Sequence, residues 1–212
     1  MPFSASAFAL VLANAVPLIG VVVLGWQVFP LVLLYWLENV VVGGFNVLRM
    51  LCARPRDGVR WAAKAFLVPF FIVHFGMFTA THGLFVFTLF DEGPRLQGFF
   101  PRPGEVLAAI QRTGVGLAVL ALVASHGFSF VRNYLVAGEY RRASLQQLMH
   151  QPYHRVVILH LTILGGGFVT LLLKSPLAAL VILVALKTAV DLRAHLAERS
   201  RFGGELAPEP VA

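Results

Sequence analysis

Five histidines, two carboxylates and a lysine interrupt long apolar stretches of this sequence, and they are the side chains best suited to chemistry. An ionisable group at the centre of a membrane helix costs about 2.5–3.5 kcal/mol, so such groups persist when they pair or serve a function. Imidazole and carboxylate groups are common ligands of zinc and iron, and separate helices of a bundle can supply them. The residues are Glu38, His74, His82, His126, His160, Lys187, Asp191 and His195.

These residues predict a metal site, because counting about 1.5 Å per residue from the helix ends places several of them at a similar depth. The first-choice ligands of zinc or iron are Glu38, His74, His126 and Asp191, and the second choices are His82, His160 and His195. A metal ion with an open coordination position would activate water, which predicts hydrolysis of a lipid-like substrate. The predicted catalytic residues are Glu38 and Asp191, each as ligand or general base, and Lys187 as charge partner or electrophile.

Three other functions are consistent with the same residues, and no HExxH motif is present to decide among them. A small proton-coupled transporter would use Glu38, Lys187 and Asp191 as titrating groups. A b-type haem protein would take His74 and His126 as axial ligands of the iron. In a purely structural polar core, Lys187 would pair with Glu38 or Asp191, and the histidines would form hydrogen bonds across helices.

The composition excludes a soluble globular domain. Of the 212 residues, 58% are apolar and only 13% are charged, and the mean hydropathy is +0.79. Soluble domains carry about a quarter charged residues. The net charge of +7 comes from basic residues between apolar stretches, which indicates membrane topology rather than nucleic-acid binding. A single cysteine, Cys52, excludes an intramolecular disulfide framework and a cysteine-based zinc site.

The elements that must position these side chains are transmembrane helices, each of which needs about 20 apolar residues. The sequence predicts an all-α, polytopic bundle of six helices in a single domain over residues 1–202. The spans are about 4–25, 27–50, 62–90, 110–136, 155–174 and 176–198. The first span has no Lys or Arg before it, which favours a retained helix over a cleaved signal peptide. A disordered cytoplasmic tail is predicted over 203–212.

The charges of the connecting segments predict the orientation. Residues 49–64 contain five basic residues and one acidic residue, and residues 132–155 contain four basic residues and one acidic residue. Residues 91–105, in contrast, contain two basic and three acidic residues. The positive-inside rule therefore places the first two segments in the cytoplasm and 91–105 outside, and six spans then place both termini in the cytoplasm. Residues 138–152 predict a short amphipathic helix at the interface.

Several strings together resemble a known family. They are Tyr35-Trp36-Leu37-Glu38-Asn39 with Gly43 and Asn46, His74-Phe75-Gly76-Met77-Phe78 with Thr81-His82-Gly83, Ser125-His126-Gly127-Phe128-Ser129-Phe130, and Leu186-Lys187-Thr188 with Asp191, His195, Glu198 and Arg199. Over nearly the whole chain, the sequence resembles an uncharacterised family of bacterial polytopic membrane proteins, a domain of unknown function. That resemblance implies a multi-pass protein of the bacterial inner membrane and implies nothing about activity.

A second resemblance is to the intramembrane zinc lipid hydrolases of the alkaline ceramidase and adiponectin receptor type. Asp191 and His195, together with Ser125 or Ser129 near His126, are similar to the His, Asp and Ser pattern of those enzymes. The chain departs from them in having six predicted spans rather than seven, and in its Glu38. We expect membrane lipids as partners and no nucleic acid. A lipid-like substrate and a homo-oligomer with further copies of the chain are additional candidates.

Overall fold

The computed structural model describes residues 27–54 and 61–153, together with ten single residues between Val156 and Thr188. Every regular element in this part of the chain is a helix, which confirms the all-helical class there. Three of these helices are long and apolar enough to cross a membrane. The predicted spans 4–25 and most of 155–174 and 176–198 lie outside the described residues, as does the predicted tail. Six spans and two cytoplasmic termini therefore stay predictions.

The first two described helices coincide closely with two predicted spans. Helix α1, Val28–Cys52, has 25 residues, and helix α2, Trp61–Phe90, has 30. At about 1.5 Å per residue, each is longer than the hydrocarbon core of about 30 Å. Pro30 stands in the first turn of α1, where its missing N–H removes no intrahelical hydrogen bond. The predictions 27–50 and 62–90 differ from these bounds by at most two residues.

Helices α1 and α2 pack against each other along one apolar cluster. Its buried members include Leu33 and Trp36 from α1 and Val86 and Phe87 from α2. The ring of Phe87 meets that of Trp36 edge to face, with 6.1 Å between centroids. The indole Nε1 of Trp36 also donates a hydrogen bond to the carbonyl oxygen of Thr79, at 2.8 Å. This bond fixes the Trp36 ring between the two helices.

The predicted span 110–136 is divided in the structure. Helix α3, Pro103–Thr113, ends at Gly114, whose positive φ of 72° is the left-handed conformation that glycine adopts most easily. Helix α4, Gly116–Ser129, follows and continues as a π-helical segment, Phe130–Val136. Within this predicted span, the helix that is long and apolar enough to cross a membrane is the 21 residues Gly116–Val136. Helix α3 belongs instead to the connection that follows α2.

An ion pair attaches α3 to the end of α2. The guanidinium of Arg112 donates two hydrogen bonds to the carboxylate of Asp91, at 2.8 and 2.7 Å. The Asp91 side chain is only 3% exposed, and it also accepts the backbone N–H of Gly93. The hydrogen bond to Asp91 raises the pKa of Arg112 above its ordinary range. This contact holds the connection in a compact form.

The opposite end of the described bundle is closed by a 3-10 turn, Glu139–Arg141, and a short helix, α5, Leu145–His150. Leu145 and Leu148 are buried in a second apolar cluster that includes Met50 of α1 and Phe71 of α2. The amide Nδ2 of Asn46 donates a hydrogen bond to the carbonyl oxygen of Leu148, at 2.8 Å. Of the predicted amphipathic segment 138–152, the six residues Leu145–His150 form an α-helix, and its buried leucines pack against α1 and α2.

Candidate functional site

Two of the predicted site histidines, His82 and His160, form a pair. His82 lies on α2 and is 2% exposed. Its Nδ1 lies 2.7 Å from the carbonyl oxygen of Phe78, one helical turn earlier. A carbonyl oxygen only accepts, so Nδ1 carries the proton and Nε2 presents its lone pair. That Nε2 faces Nδ1 of His160 at 3.0 Å, with the two rings nearly perpendicular at 88°.

This arrangement resembles the supporting contacts of metal-binding histidines. Such histidines usually donate their second ring N–H to a carbonyl or carboxylate, which fixes the tautomer and aims the other nitrogen at the metal. Zinc–nitrogen bonds of about 2.0–2.1 Å in a tetrahedral site separate two ligand nitrogens by about 3.3 Å. The observed 3.0 Å is within a few tenths of an ångström of that separation. Without a metal ion, the same pair forms one hydrogen bond, from Nδ1 of His160 to Nε2 of His82.

His74 has a different partner. Its Nδ1 lies 2.6 Å from the hydroxyl oxygen of Tyr153, a short hydrogen bond between α2 and the segment that follows α5. The imidazole also stacks on the ring of Phe70, with 5.2 Å between centroids. Tyr153 in turn meets Phe71 and Phe75 edge to face. His74 thus belongs to an aromatic cluster that connects two parts of the chain.

Glu38 and His126 lie in two further places. Glu38 lines a cleft between α1 and α4, together with Tyr35 and Ser125. His126 lines another cleft, in which Arg49 is the cationic group. Across the described ranges, no three His, Cys, Asp or Glu residues lie close enough to share a metal ion. Lys187, Asp191 and His195 lie outside the described residues, so the predicted ligand and catalytic sets that contain them stay predictions.

The sequence did not single out three polar groups whose surroundings the structure shows. Tyr153 was part of a connecting segment, and only the fold brings it to His74. Arg49 was counted as a topology signal, yet its Nε is buried without a hydrogen-bond partner in the described part of the chain. The carbonyl oxygen of Thr79, which accepts from Trp36, has no sequence signal because any residue supplies a carbonyl. Arg49 alone could have been found, since it ends an apolar stretch that also contains Asn46.

Comparison with known proteins assigns the family and no activity. The chain belongs to the family of unknown function DUF6498, whose sequence model matches residues 1–206. This confirms the resemblance to an uncharacterised family. No curated protein and no solved structure matches the chain. The likeness to intramembrane zinc lipid hydrolases gains no support from these comparisons, so the function has to be argued from the geometry.

Proposed function

We propose that this chain is a polytopic protein of the bacterial inner membrane that binds a zinc or iron ion at His82 and His160. One observation supports the proposal more than any other. Among apolar helices, Nε2 of His82 presents a lone pair to a second imidazole at 3.0 Å, while its Nδ1 is held by the carbonyl of Phe78. Nitrogen donors of this kind suit zinc and iron.

Two histidines hold a metal ion weakly, so the proposal requires further ligands. Structural zinc sites take four protein ligands, whereas catalytic sites take three and leave one position open. We propose Asp191 and His195 as the additional ligands, because residues four apart occupy one face of a helix. An open position would then activate water for attack on a lipid-like substrate, with Lys187 in a supporting role.

The geometry favours a compact metal site over haem for this pair. Two axial histidines bind on opposite faces of the haem iron, so their nitrogens stand about 4 Å apart, twice a metal–nitrogen bond. The nitrogens of His82 and His160 are 1 Å closer than that, at 3.0 Å. Neighbouring positions on one ion therefore suit this pair better than positions across a porphyrin.

The test is metal analysis of protein purified without chelators. We expect near-stoichiometric zinc or iron in the wild type and its loss in His82→Ala and in His160→Ala. His150→Ala is the matched control, since His150 is an exposed histidine on α5. All variants are checked for helicity and for monodispersity in detergent, so that loss of metal is separated from loss of fold.

A second measurement does not depend on substitution. Cobalt(II) loaded into the wild type should give visible absorption bands of the intensity typical of tetrahedral nitrogen and oxygen ligation. Wild-type protein that stays free of zinc, iron and cobalt after loading would contradict the proposal. The histidine pair would then be a structural hydrogen bond between α2 and the predicted span 155–174.

A further inference from the structure

A polar cleft of about 390 Å³ lies between α1, α4 and the residues that follow α5. It is separate from the histidine pair. Its polar lining consists of a guanidinium, an imidazole, a hydroxyl and two amides, from Arg49, His126, Ser129, Asn46 and Gln151. None of the described residues that line it is Asp or Glu. The cleft therefore offers donors and positive charge, which is the chemistry that recognises an anion.

Arg49 is the central group of this cleft. No carboxylate in the described part of the chain lies within ion-pair distance of it, and its Nε is buried with no hydrogen-bond partner there. The guanidinium stands over the ring of Tyr134, 5.7 Å from its centroid. The hydroxyl of Tyr134 donates to the carbonyl oxygen of Arg49, at 2.8 Å. The Tyr134 ring thus packs against the guanidinium, and its hydroxyl is bonded to the Arg49 backbone, while Nε of Arg49 has no hydrogen-bond partner in the described part of the chain.

The other side chains of the cleft are also oriented by their neighbours. His126 stacks on the ring of Phe45, with 6.2 Å between centroids and 28° between ring planes. The hydroxyl oxygen of Ser129 accepts a hydrogen bond from Nδ2 of Asn133 at 3.3 Å, which leaves its own proton free to be donated. Donors fixed in this way lose little entropy when a ligand binds.

The π-helical segment Phe130–Val136 independently indicates a functional site at this cleft. It begins at Phe130, directly after Ser129, so the helix changes from α to π at the wall of the cleft. A π-helical turn is less favourable than α-helix, and such turns occur frequently at functional sites. Tyr134 lies within this π-helical segment, so its position along the wall differs from that in a continuous α-helix. Tyr134 is the residue that holds Arg49.

The location of the cleft indicates the kind of anion. Arg49 lies in the last turn of α1, at the end next to the basic segments 49–64 and 132–155 that are predicted to be cytoplasmic. Basic pockets between helices at this level of a membrane bind the phosphate groups of lipids. We propose that the cleft binds a phosphate-bearing ligand, with the Arg49 guanidinium contacting two phosphate oxygens and His126 and Ser129 supplying further donors.

The phosphate can come from an anionic phospholipid or from a soluble phosphate monoester, and binding experiments separate the two. Delipidated protein in detergent is titrated with phosphatidylglycerol and, in a second arm, with glycerol 3-phosphate. Phosphatidylcholine in the first arm is the reference for a lipid without net charge. We expect saturable binding in one arm. Binding in the lipid arm identifies a headgroup ligand, and binding only in the second arm identifies a soluble phosphate ligand.

The matched variants are Arg49→Gln and Arg54→Gln, which remove the same charge from the same end of the bundle. Arg54 is exposed and does not line the cleft. Arg49→Gln should weaken binding at least tenfold, and Arg54→Gln should weaken it less than threefold. Arg49→Lys keeps the charge without the planar fork, and it should give an intermediate loss. Arg49→Lys also replaces Arg49→Gln in the binding test if Arg49→Gln does not fold.

The proposal is overturned if neither arm binds, or if Arg49→Gln and Arg54→Gln weaken binding equally. Equal weakening would mean attraction by general surface charge. Metal content is measured on the same samples and should be unchanged in Arg49→Gln. Failure of the metal proposal therefore leaves this test intact, because the two sites use different side chains.

Discussion

Gly83 is a position at which one added methyl group should lower the stability of the bundle. A Cβ atom at Gly83 would lie 2.7 Å from Cζ2 of Trp36 and 2.9 Å from Cγ of Pro101. Ordinary contacts of a Cβ begin at 3.4 Å, so either the helix or both neighbours would have to move by several tenths of an ångström. Trp36 cannot move freely, because it is 5% exposed and its Nε1 is bonded to Thr79.

The matched control is Gly76→Ala on the same helix, since a Cβ at Gly76 has nothing within 4 Å. Both changes gain the same helix propensity of about 0.5–1 kcal/mol, so the difference between the variants reports packing alone. Overpacking of this kind costs about 1–3 kcal/mol. We therefore expect the free energy of unfolding of Gly83→Ala to be lower than that of Gly76→Ala by about 1–3 kcal/mol.

The assay is equilibrium unfolding in mixed micelles, with increasing dodecyl sulfate and helicity as the signal. A double-mutant cycle with Trp36→Phe identifies the obstacle, because a smaller ring should reduce the cost of the added methyl group. Gly83→Ala and Gly76→Ala with free energies of unfolding within about 0.5 kcal/mol of each other would refute the reasoning. A cycle with no coupling to Trp36 would assign the cost to Pro101 alone.

Two further predictions concern the connection between α2 and α4. Asp91→Asn should destabilise the protein by about 1 kcal/mol, because a buried carboxylate that binds Arg112 twice is lost. In the same unfolding assay, exposed Glu92→Gln should change the free energy by less than about 0.5 kcal/mol, and equal effects would contradict this account. The second prediction concerns Glu105, whose carboxylate accepts the backbone N–H groups of Gln97 and Arg102, and these bonds hold its pKa below the ordinary 4.5. A lowered pKa in the fold means that the stabilisation is present above pH 4.5 and is lost as the pH falls through the lower folded value. Hydrogen exchange of the Arg102 amide, corrected for its intrinsic rate, should therefore accelerate in acid in the wild type. The exchange rate should depend less on pH in Glu105→Gln. Identical pH profiles of the two proteins would refute this role of the Glu105 carboxylate.

The bounds of α1 and α2 were predictable because hydropathy and helix breaks agree there. Both are predominantly apolar stretches followed by residues that end a helix, with Pro55 after α1 and Gly93-Pro94 after α2. The break at Gly114 was not predictable by the same means. Apolar residues lie on both sides of the short polar run Gln111-Arg112-Thr113 that precedes it, and glycine is common inside membrane helices. Only the backbone conformation, φ 72°, marks Gly114 as the end of α3.

The three first-choice metal ligands that the structure describes show that similar depth alone does not bring side chains together. Glu38, His74 and His126 were grouped because they lie at similar heights in three helices. The structure places Glu38 beside Ser125, His74 on Tyr153, and His126 in the cleft with Arg49. Height along a helix follows from counting residues, whereas the direction of a side chain depends on how each helix is rotated about its axis. A single sequence contains little information about that rotation.

The contact between α1 and α2 also determines the position of His82, the proposed metal ligand on α2. His82 directly precedes Gly83, and the contact of Gly83 with Trp36 fixes the height of this turn of α2 against α1. The carbonyl of Phe78 then orients the imidazole within α2 itself, so the position of Nε2 depends on helix packing and its direction depends on the helix backbone. In the Arg49 cleft, by contrast, orientation comes from side chains of another helix, chiefly Tyr134. A packing change at Gly83 should therefore weaken metal binding at His82 and His160 more than phosphate binding in the Arg49 cleft. A substitution of Tyr134 should weaken phosphate binding more than metal binding.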